Sequence, residues 1–99
     1  MTSSSNLSII TGIGDSMEGS FNSGDPVVVN HDIQSLTEDG VYVFTIGERL
    51  YLKRLQILPN CVRMLSDNAK YPPYDIKGEE LQQLVVYGKV LFAWNGRRV

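Results

Sequence analysis

The sequence of 99 residues contains one cysteine, Cys61, and one histidine, His31. A single cysteine excludes an internal disulfide and is typical of a reducing compartment, so we expect a cytoplasmic location. The usual zinc sites need several ligands drawn mainly from these two residue types, and the sequence does not supply them. We therefore expect neither a metal centre nor a disulfide-stabilised secreted fold.

The sequence also lacks a strong charge of one sign and a long apolar run. Its 9 Lys and Arg against 11 Asp and Glu give a formal net charge of −2, which does not favour binding of the whole domain to nucleic acid. We interpret the basic pair Arg97-Arg98 as a solvated end of the chain. No stretch approaches the roughly 18 apolar residues of a transmembrane helix, and no signal-peptide pattern opens the sequence.

The length suits one small domain with a single modest core. Residues 1–8 are small and polar and are expected to form a flexible leader or linker stub, with the folded domain in residues 9–99. Turn-forming residues recur at short intervals, and the runs between them are β-rich: residues 27–29, 41–46, 49–55, 61–65 and 84–94. This spacing predicts a mainly-β fold, and the helix formers at 79–83 predict at most one helical turn.

Residues 41–55 are predicted to form a β-hairpin that turns at Gly47-Glu48. Because side chains alternate along a strand, its second strand has two mixed faces. One face contains Tyr51, Lys53 and Leu55, and the other contains Leu50, Leu52 and Arg54. Desolvation lowers the pKa of a lysine but leaves an arginine charged. Lys53 is therefore a candidate general base, with an ordinary solvated lysine as the alternative.

The loop at residues 14–19 contains Ser16 between two glycines. A sharp turn of this kind exposes a hydroxyl and neighbouring N–H groups, which acyl transfer requires as nucleophile and oxyanion donors. A plain Asp-Ser turn is the alternative. His31 with Asp32 would be a second choice of base, and Cys61 with His31 a formal Cys–His pair. We expect Cys61 to be a small core residue because it lies among apolar strand residues.

Pro72 and Pro73 require an extended backbone between two tyrosines. We expect Tyr71 and Tyr74 to pack onto the core as a lid, with a role in peptide recognition as the alternative.

Five blocks of residues follow one another along the chain. They are Gly14-Asp15-Ser16-Met17-Glu18 with Gly24-Asp25 and Val27-Val28-Val29; Asp39-Gly40-Val41-Tyr42-Val43; Leu52-Lys53-Arg54-Leu55; Ser66-Asp67-Asn68 leading to Tyr71-Pro72-Pro73-Tyr74; and Val85-Val86-Tyr87-Gly88-Lys89-Val90. In this order they resemble the LexA-type (S24) serine–lysine peptidases, the self-cleaving C-terminal domains of SOS and phage repressors. The resemblance implies a small bent β-sheet barrel of the LexA and signal-peptidase type, with little helix.

Carried over by position, Ser16 resembles the family's nucleophile and Lys53 its general base, 37 positions apart (53 minus 16). The resemblance also implies that the backbone N–H of Ser16 is an oxyanion donor and that Met17 packs near the substrate cleft. It implies no cofactor. A neutral lysine could accept the serine proton without a histidine, provided that apolar walls disfavour the ammonium form.

The resemblance further implies a homodimer that cleaves its own linker peptide when a RecA filament activates it, in a bacterial cell or a phage-infected host. DNA would be bound only by a helix-turn-helix domain, which we expect to precede residue 1. The apolar run at 85–94, if it is an edge strand, would need a partner or cover, and this also favours dimerisation.

Two departures from the family pattern matter for function. Gly19-Ser20 replaces the frequent Pro-Thr, and we expect this to loosen the loop after Ser16. The family cuts an Ala-Gly or Cys-Gly bond, but the alanines and the cysteine here precede Lys70, Trp94 and Val62. We therefore expect the cleavage segment to precede residue 1. The alternatives are a catalytically silent dimerisation module of a transcription factor and a polymerase accessory protein of the same fold.

Overall fold

The computed structural model describes residues 6–11, 14 and 16–93, which form a mainly-β fold as predicted. The elements are β1 (Leu7–Thr11), β2 (Pro26–Asn30), β3 (Gly40–Ile46), β4 (Arg49–Ile57), β5 (Val62–Leu65), β6 (Tyr74–Ile76), α1 (Glu79–Gln82) and β7 (Leu84–Ala93). The strands form one sheet in the order β1-β2-β7-β3-β4-β5-β6, and each pairing is antiparallel. The helix is a single turn, as the sequence indicates.

Strands β3 and β4 form the predicted hairpin around Gly47-Glu48. Their register runs from Gly40 opposite Leu55 to Ile46 opposite Arg49. Gly47 has a φ of +60°. Among the described residues, only glycines have a positive φ, so the φ of Glu48 is negative. A positive φ at the first of two central positions alone is the pattern of a type II′ turn, which suits the twist of a hairpin. Glycine at this position therefore fixes where the hairpin turns.

Strand β7 lies inside the sheet, between β2 and β3. The apolar run would need a partner only as an edge strand, and β7 is not at an edge. Among the described residues the edge strands are β1 and β6. Residues Leu7 and Ser8, which we expected in the leader, pair with β2. Residues 1–5 of that leader lie outside the described residues, as do Trp94, Arg97 and Arg98.

Alternating residues of β3 supply two apolar clusters on opposite faces of the hairpin. The buried members of the first are Met17, Phe21, Val27, Val29, Val41, Val90 and Ala93, and those of the second are Tyr42, Phe44, Leu55, Val62, Ile76 and Val86. Leu52 packs against the first cluster, whereas Tyr51 and Leu55 belong to the second, as the predicted alternation along β4 requires. The first cluster also brings the loop that contains Met17 and Phe21 down onto the hairpin.

Two expectations about the core are wrong. Cys61 is half-buried rather than in the core, because it lies in the turn before β5, where its carbonyl accepts the N–H of Leu58 at 2.9 Å. Tyr71 and Tyr74 do not form a lid, since they are 42% and 47% exposed. The hydroxyl of Tyr74 instead donates to Glu80 at 2.5 Å, so its polar end is satisfied at the surface.

Two leucines on β4 test this division between core and surface. Leu55 is fully buried and Leu50 is 70% exposed. We expect Leu55→Ala to lower the free energy of unfolding by about 2–5 kcal/mol, because it leaves a cavity. Leu50→Ala, the matched control, should change it by less than about 0.5 kcal/mol. Urea unfolding of both variants measures the difference, and equal losses would contradict the described packing.

Candidate active site

A cleft of about 330 Å³ opens beside the start of β4. Its lining residues are Ile10, Thr11, Ser16, Val43, Leu50, Tyr51, Leu52 and Lys53. Ser16 and Lys53, the predicted nucleophile and base, thus lie on the walls of one cleft, although they come from different parts of the chain. Most of the other lining side chains are apolar, so the cleft offers few groups that would solvate a charge.

Ser16 begins a tight turn that we call the serine loop, residues 16–21. The carbonyl of Met17 accepts the N–H groups of Ser20 and Phe21, both at 3.1 Å. The side chains of Met17 and Phe21 are each only 4% exposed and pack in the first apolar cluster. Met17 does not itself line the cleft. It packs beneath it, in the cluster against which Ile10, Val43 and Leu52 also lie.

Lys53 lies in the middle of β4 and is half-buried. Its Nζ donates a hydrogen bond to Oγ of Ser66 at 3.3 Å. The same nitrogen lies 5.6 Å from the centroid of the Tyr71 ring. The amine of Lys53 therefore contacts residues of the segment that follows β5, and these contacts help to fix its position.

Three consecutive residues after β5, the 66–68 segment, connect β4 to the serine loop. Asp67 accepts two hydrogen bonds from Arg54, through Nε and Nη2, each at 2.8 Å. Asp67 also accepts the hydroxyl of Ser20. The backbone N–H of Asn68 donates to the carbonyl of Ser16 at 2.9 Å. The segment thus contacts Lys53 at one end and the backbone of Ser16 at the other.

These contacts bear on the expectation that Gly19-Ser20 loosens the loop. The Ser20 hydroxyl binds Asp67, and the next residue, Phe21, is buried. A residue that departs from the family pattern here supplies an additional attachment for the loop. Charge strengthens the attachment, since hydrogen bonds to ionised groups are stronger than neutral ones.

The ion pair between Arg54 and Asp67 is ionised and shielded, with 30% and 15% of the two side chains exposed. Burial by itself would raise the pKa of Asp67, but hydrogen bonds from Arg54 and Ser20 and the charge of Arg54 outweigh it, so the pKa lies below its ordinary value. The hydrogen bond to Asp67 raises the pKa of Arg54 despite partial desolvation. The bridge between β4 and the serine loop is therefore charged at neutral pH.

His31 is not brought to Ser16. Its Nδ1 lies 3.0 Å from the carbonyl of Tyr87, which can only accept, so Nδ1 carries the proton. In a neutral ring, Nε2 is then the acceptor of the Ser8 hydroxyl at 2.5 Å. His31 is engaged with a different serine and does not line the cleft, so the geometry gives no support to a triad of Ser16, His31 and Asp32.

Within residues 6–11, 14 and 16–93, no three His, Cys, Asp or Glu side chains are grouped so that they could hold a metal ion. In the same part of the chain, no helix has the length and apolarity needed to cross a bilayer.

The residue patterns assign no role to the pair Arg54–Asp67 or to Ser66, and at Ser20 they predict a looser loop rather than an attachment. The block Ser66-Asp67-Asn68 was recognised only as part of a resemblance. The signal that could have found its partners is the β4–β5 register, which ends with Arg54 opposite Leu65 and so brings the next residue, Ser66, toward Lys53. That register cannot be obtained from residue periodicity alone.

Comparison with known proteins adds the family context. A profile described as Peptidase S24-like matches residues 1–91. The chain is 42% identical over 85 residues to the 26 kDa repressor protein of Escherichia phage HK022, an alignment that covers 86% of this chain and 36% of that protein. It is 30% identical over 87 residues to an uncharacterized HTH-type transcriptional regulator of Haemophilus influenzae, again covering 87% of this chain and 36% of the relative. The chain thus spans about a third of the length of these relatives.

The charged bridge can be tested through the pH dependence of stability. Because the pKa of Asp67 lies below its ordinary value of 3.8, its contribution is complete above that pH and is lost as the pH falls through the folded-state value. We expect Asp67→Asn to lower the free energy of unfolding by about 1–3 kcal/mol at neutral pH, and the difference from the wild type to vanish in strong acid. Urea unfolding at several pH values measures this.

Asp75→Asn is the matched control, since Asp75 pairs with Arg63 at 2.7 Å but both side chains are more than a third exposed. Its effect should be smaller and weakened by salt. If Asp67→Asn were as mild as the control at every pH, the bridge would not hold the loop.

Proposed function

This chain belongs to the Peptidase S24-like family, and we propose that it is the C-terminal self-cleavage and dimerisation domain of a phage-type or SOS repressor. One observation carries the proposal: Ser16 and Lys53 line the same cleft. In this role Ser16 is the nucleophile and Lys53 is the general base. The names of the two relatives, a repressor protein and an HTH-type transcriptional regulator, support regulation of transcription as the setting.

The reaction we propose is hydrolysis of a peptide bond through an acyl-enzyme. The neutral amine of Lys53 takes the proton of the Ser16 hydroxyl while Oγ bonds to the scissile carbonyl carbon. The tetrahedral oxyanion is bound by backbone N–H groups, among them that of Ser16. When the intermediate collapses, the C–N bond breaks and the Lys53 ammonium returns its proton to the leaving nitrogen. A water molecule, deprotonated by Lys53, then bonds to the acyl carbon; the ester bond to Oγ breaks, and the Lys53 ammonium returns the proton to Ser16.

The walls of the cleft support a neutral amine. Ile10, Val43, Leu50 and Leu52 line the same cleft as Lys53. Apolar walls favour the neutral amine, since desolvation penalises the ammonium form more than the neutral one. Strand β5 pairs only with residues 54–57 of β4, so the cleft lies along the other half of that strand. An extended linker could add there as a further strand, with its scissile carbonyl beside Ser16.

The substrate in this proposal is the protein's own linker, cut at an Ala-Gly or Cys-Gly bond upstream of the 99 residues when a RecA filament activates the protein. DNA would be contacted only by a preceding helix-turn-helix domain. This division of labour fits the net charge of −2 and the short share of the relatives that the chain spans.

A second copy of the chain is the partner that we propose for assembly. The register places Ile9 opposite Val28 and Val28 opposite Phe92, which makes one apolar row across β1, β2 and β7. Ile9 is 59% exposed and Phe92 is 40% exposed. Burying this row against its symmetry mate would remove apolar surface from water in both copies.

A silent dimerisation module is the second candidate function. It is favoured by one observation, the absence of any Ala-Gly or Cys-Gly bond in the 99 residues. In that case the cleft would be a remnant, and the apolar row would carry the function alone.

Cleavage of a peptide separates the two candidates. We expect the chain to cut a linker peptide that contains Ala-Gly, at a rate that rises with pH until the Lys53 amine is fully neutral. Ser16→Ala and Lys53→Ala should each lower the rate by on the order of 100-fold or more, whereas Lys70→Ala, an exposed lysine, should not. Mass spectrometry of the products measures this. An intact peptide with the wild-type chain would favour the silent module.

The assembly proposal is tested by sedimentation over a range of concentrations. We expect the wild type to dimerise and Ile9→Ser to weaken association. Ile57→Ser is the matched control, because Ile57 is a partly exposed isoleucine on β4, away from the apolar row. A wild type that stays monomeric at high concentration, or equal effects of the two variants, would contradict the proposed interface.

A further inference from the structure

We propose that Ser66 is a positioning residue that orients the amine of Lys53 toward Ser16, an inference that rests on the proposed serine–lysine reaction. The direct observation is the hydrogen bond from Lys53 Nζ to Ser66 Oγ at 3.3 Å. Both side chains are half-buried, so water competes only partly for the amine. A hydroxyl in this place acts on the base and not on the substrate.

The backbone register supports the contact independently of side-chain geometry. In the β4–β5 ladder, Leu55 lies opposite Met64 and Arg54 opposite Leu65. The ladder ends at this last pair, and the residues that adjoin it on the two chains are Lys53 and Ser66. Directly opposite residues of an antiparallel pair have Cβ atoms about 4.5–5.5 Å apart, so residues one position beyond the last pair begin close together, within reach of a lysine stem. The end of the ladder therefore brings Ser66 near Lys53, where the hydrogen bond is observed.

The 66–68 segment is itself held on both sides. Asp67 binds Arg54 of β4 and Ser20 of the serine loop, and the N–H of Asn68 binds the carbonyl of Ser16. Ser66 is therefore not at the end of a free loop. The hydroxyl of Ser66 is therefore held at a defined position relative to the serine loop, which contains Ser16.

The chemistry of a neutral amine explains why such a residue is useful. A lysine amine has two N–H groups and one lone pair, and only the lone pair can accept the serine proton. The lysine stem is flexible, so the amine has no preferred direction of its own. When one N–H is donated to Ser66, the lone pair is turned to the remaining directions, which include the cleft. A carboxylate in place of Ser66 would also orient the amine but would favour its protonated form.

Other titratable and charged groups lie on the elements around Lys53 and are left unchanged in the test. From the hairpin these are Tyr42, Tyr51 and Arg54; from the serine loop, Glu18; and from the segment after β5, Asp67 and Tyr71. Tyr42 donates its hydroxyl to the carbonyl of Glu38 at 2.7 Å, so it is directed elsewhere. Replacing Ser66 alone then isolates one hydrogen bond.

The test uses the 99-residue chain and a fluorophosphonate probe, which labels an activated serine whatever the cleavage sequence. Ser16 Oγ bonds to phosphorus, fluoride leaves, and Lys53 takes the proton. We expect Ser66→Ala to lower the maximal labelling rate by on the order of 10- to 100-fold, as for a small misplacement of a catalytic group. Because a hydroxyl that accepts from an ammonium favours the charged form, its loss should also move the half-maximal pH downward.

Two controls make the result specific. Ser66→Thr keeps the hydroxyl and should restore most of the rate, and Ser35→Ala, a serine in the loop before β3, should resemble the wild type. Ser66→Cys replaces the hydroxyl by a weaker acceptor of similar size, and it answers the same question if Ser66→Ala does not fold. Thermal unfolding of each variant is recorded in parallel.

The outcomes separate this inference from the function on which it rests. If labelling of the wild type does not depend on Lys53, as Lys53→Ala would show, the proposed function fails and the role of Ser66 with it. If labelling depends on Lys53 but Ser66→Ala and Ser66→Cys keep the wild-type rate and half-maximal pH, only this inference fails. A slower Ser66→Ala with an unchanged pH profile and a lower unfolding temperature would show a structural role and also overturn it.

Discussion

The candidate site depends on the contacts of one short segment, residues 66–68, with two distant parts of the chain. Its position follows from the β4–β5 register, whose last pair is Arg54 with Leu65. Beyond that pair the chain leaves the sheet over the serine loop, where the carboxylate of Asp67 joins Arg54 to Ser20. The ionised pair lies largely out of solvent, so it resists the screening that weakens exposed ion pairs. Apart from this bridge, the loop is held relative to β4 by apolar packing and by the uncharged contacts of Ser66 and Asn68.

Local patterns predict the regular part of the fold well. The hairpin follows from two β-rich runs around Gly47, and the single helical turn from five helix formers before a β-branched run. Alternation predicts which leucines of β4 face which cluster. Strand order is less accessible, since β7 reads as an apolar run but lies between β2 and β3. Cys61 and the tyrosines around Pro72 were misplaced because burial depends on tertiary packing, which apolar character alone does not determine.

The two principal site residues could be named from the sequence, but mainly through family resemblance. A serine between glycines and a lysine between apolar neighbours are each common outside active sites. That both line one cleft is a property of the tertiary structure. The bridge from Ser20 to Asp67 spans 47 positions and the contact of Asn68 with Ser16 is equally remote, so no window of the sequence contains both partners. Neither the charge of Asp67 nor the hydroxyl of Ser20 indicates, from its own stretch of sequence, which residue it binds.

The central claim is that a hydroxyl and a neutral amine meet in this cleft. A crystal structure of the chain at alkaline pH tests it most directly. We predict Ser16 Oγ and Lys53 Nζ within about 2.6–3.2 Å of each other, with Ser66 Oγ on the remaining side of the amine. A structure in which the Lys53 amine points into solvent, with no contact to Ser16 directly or through one water, would contradict the account.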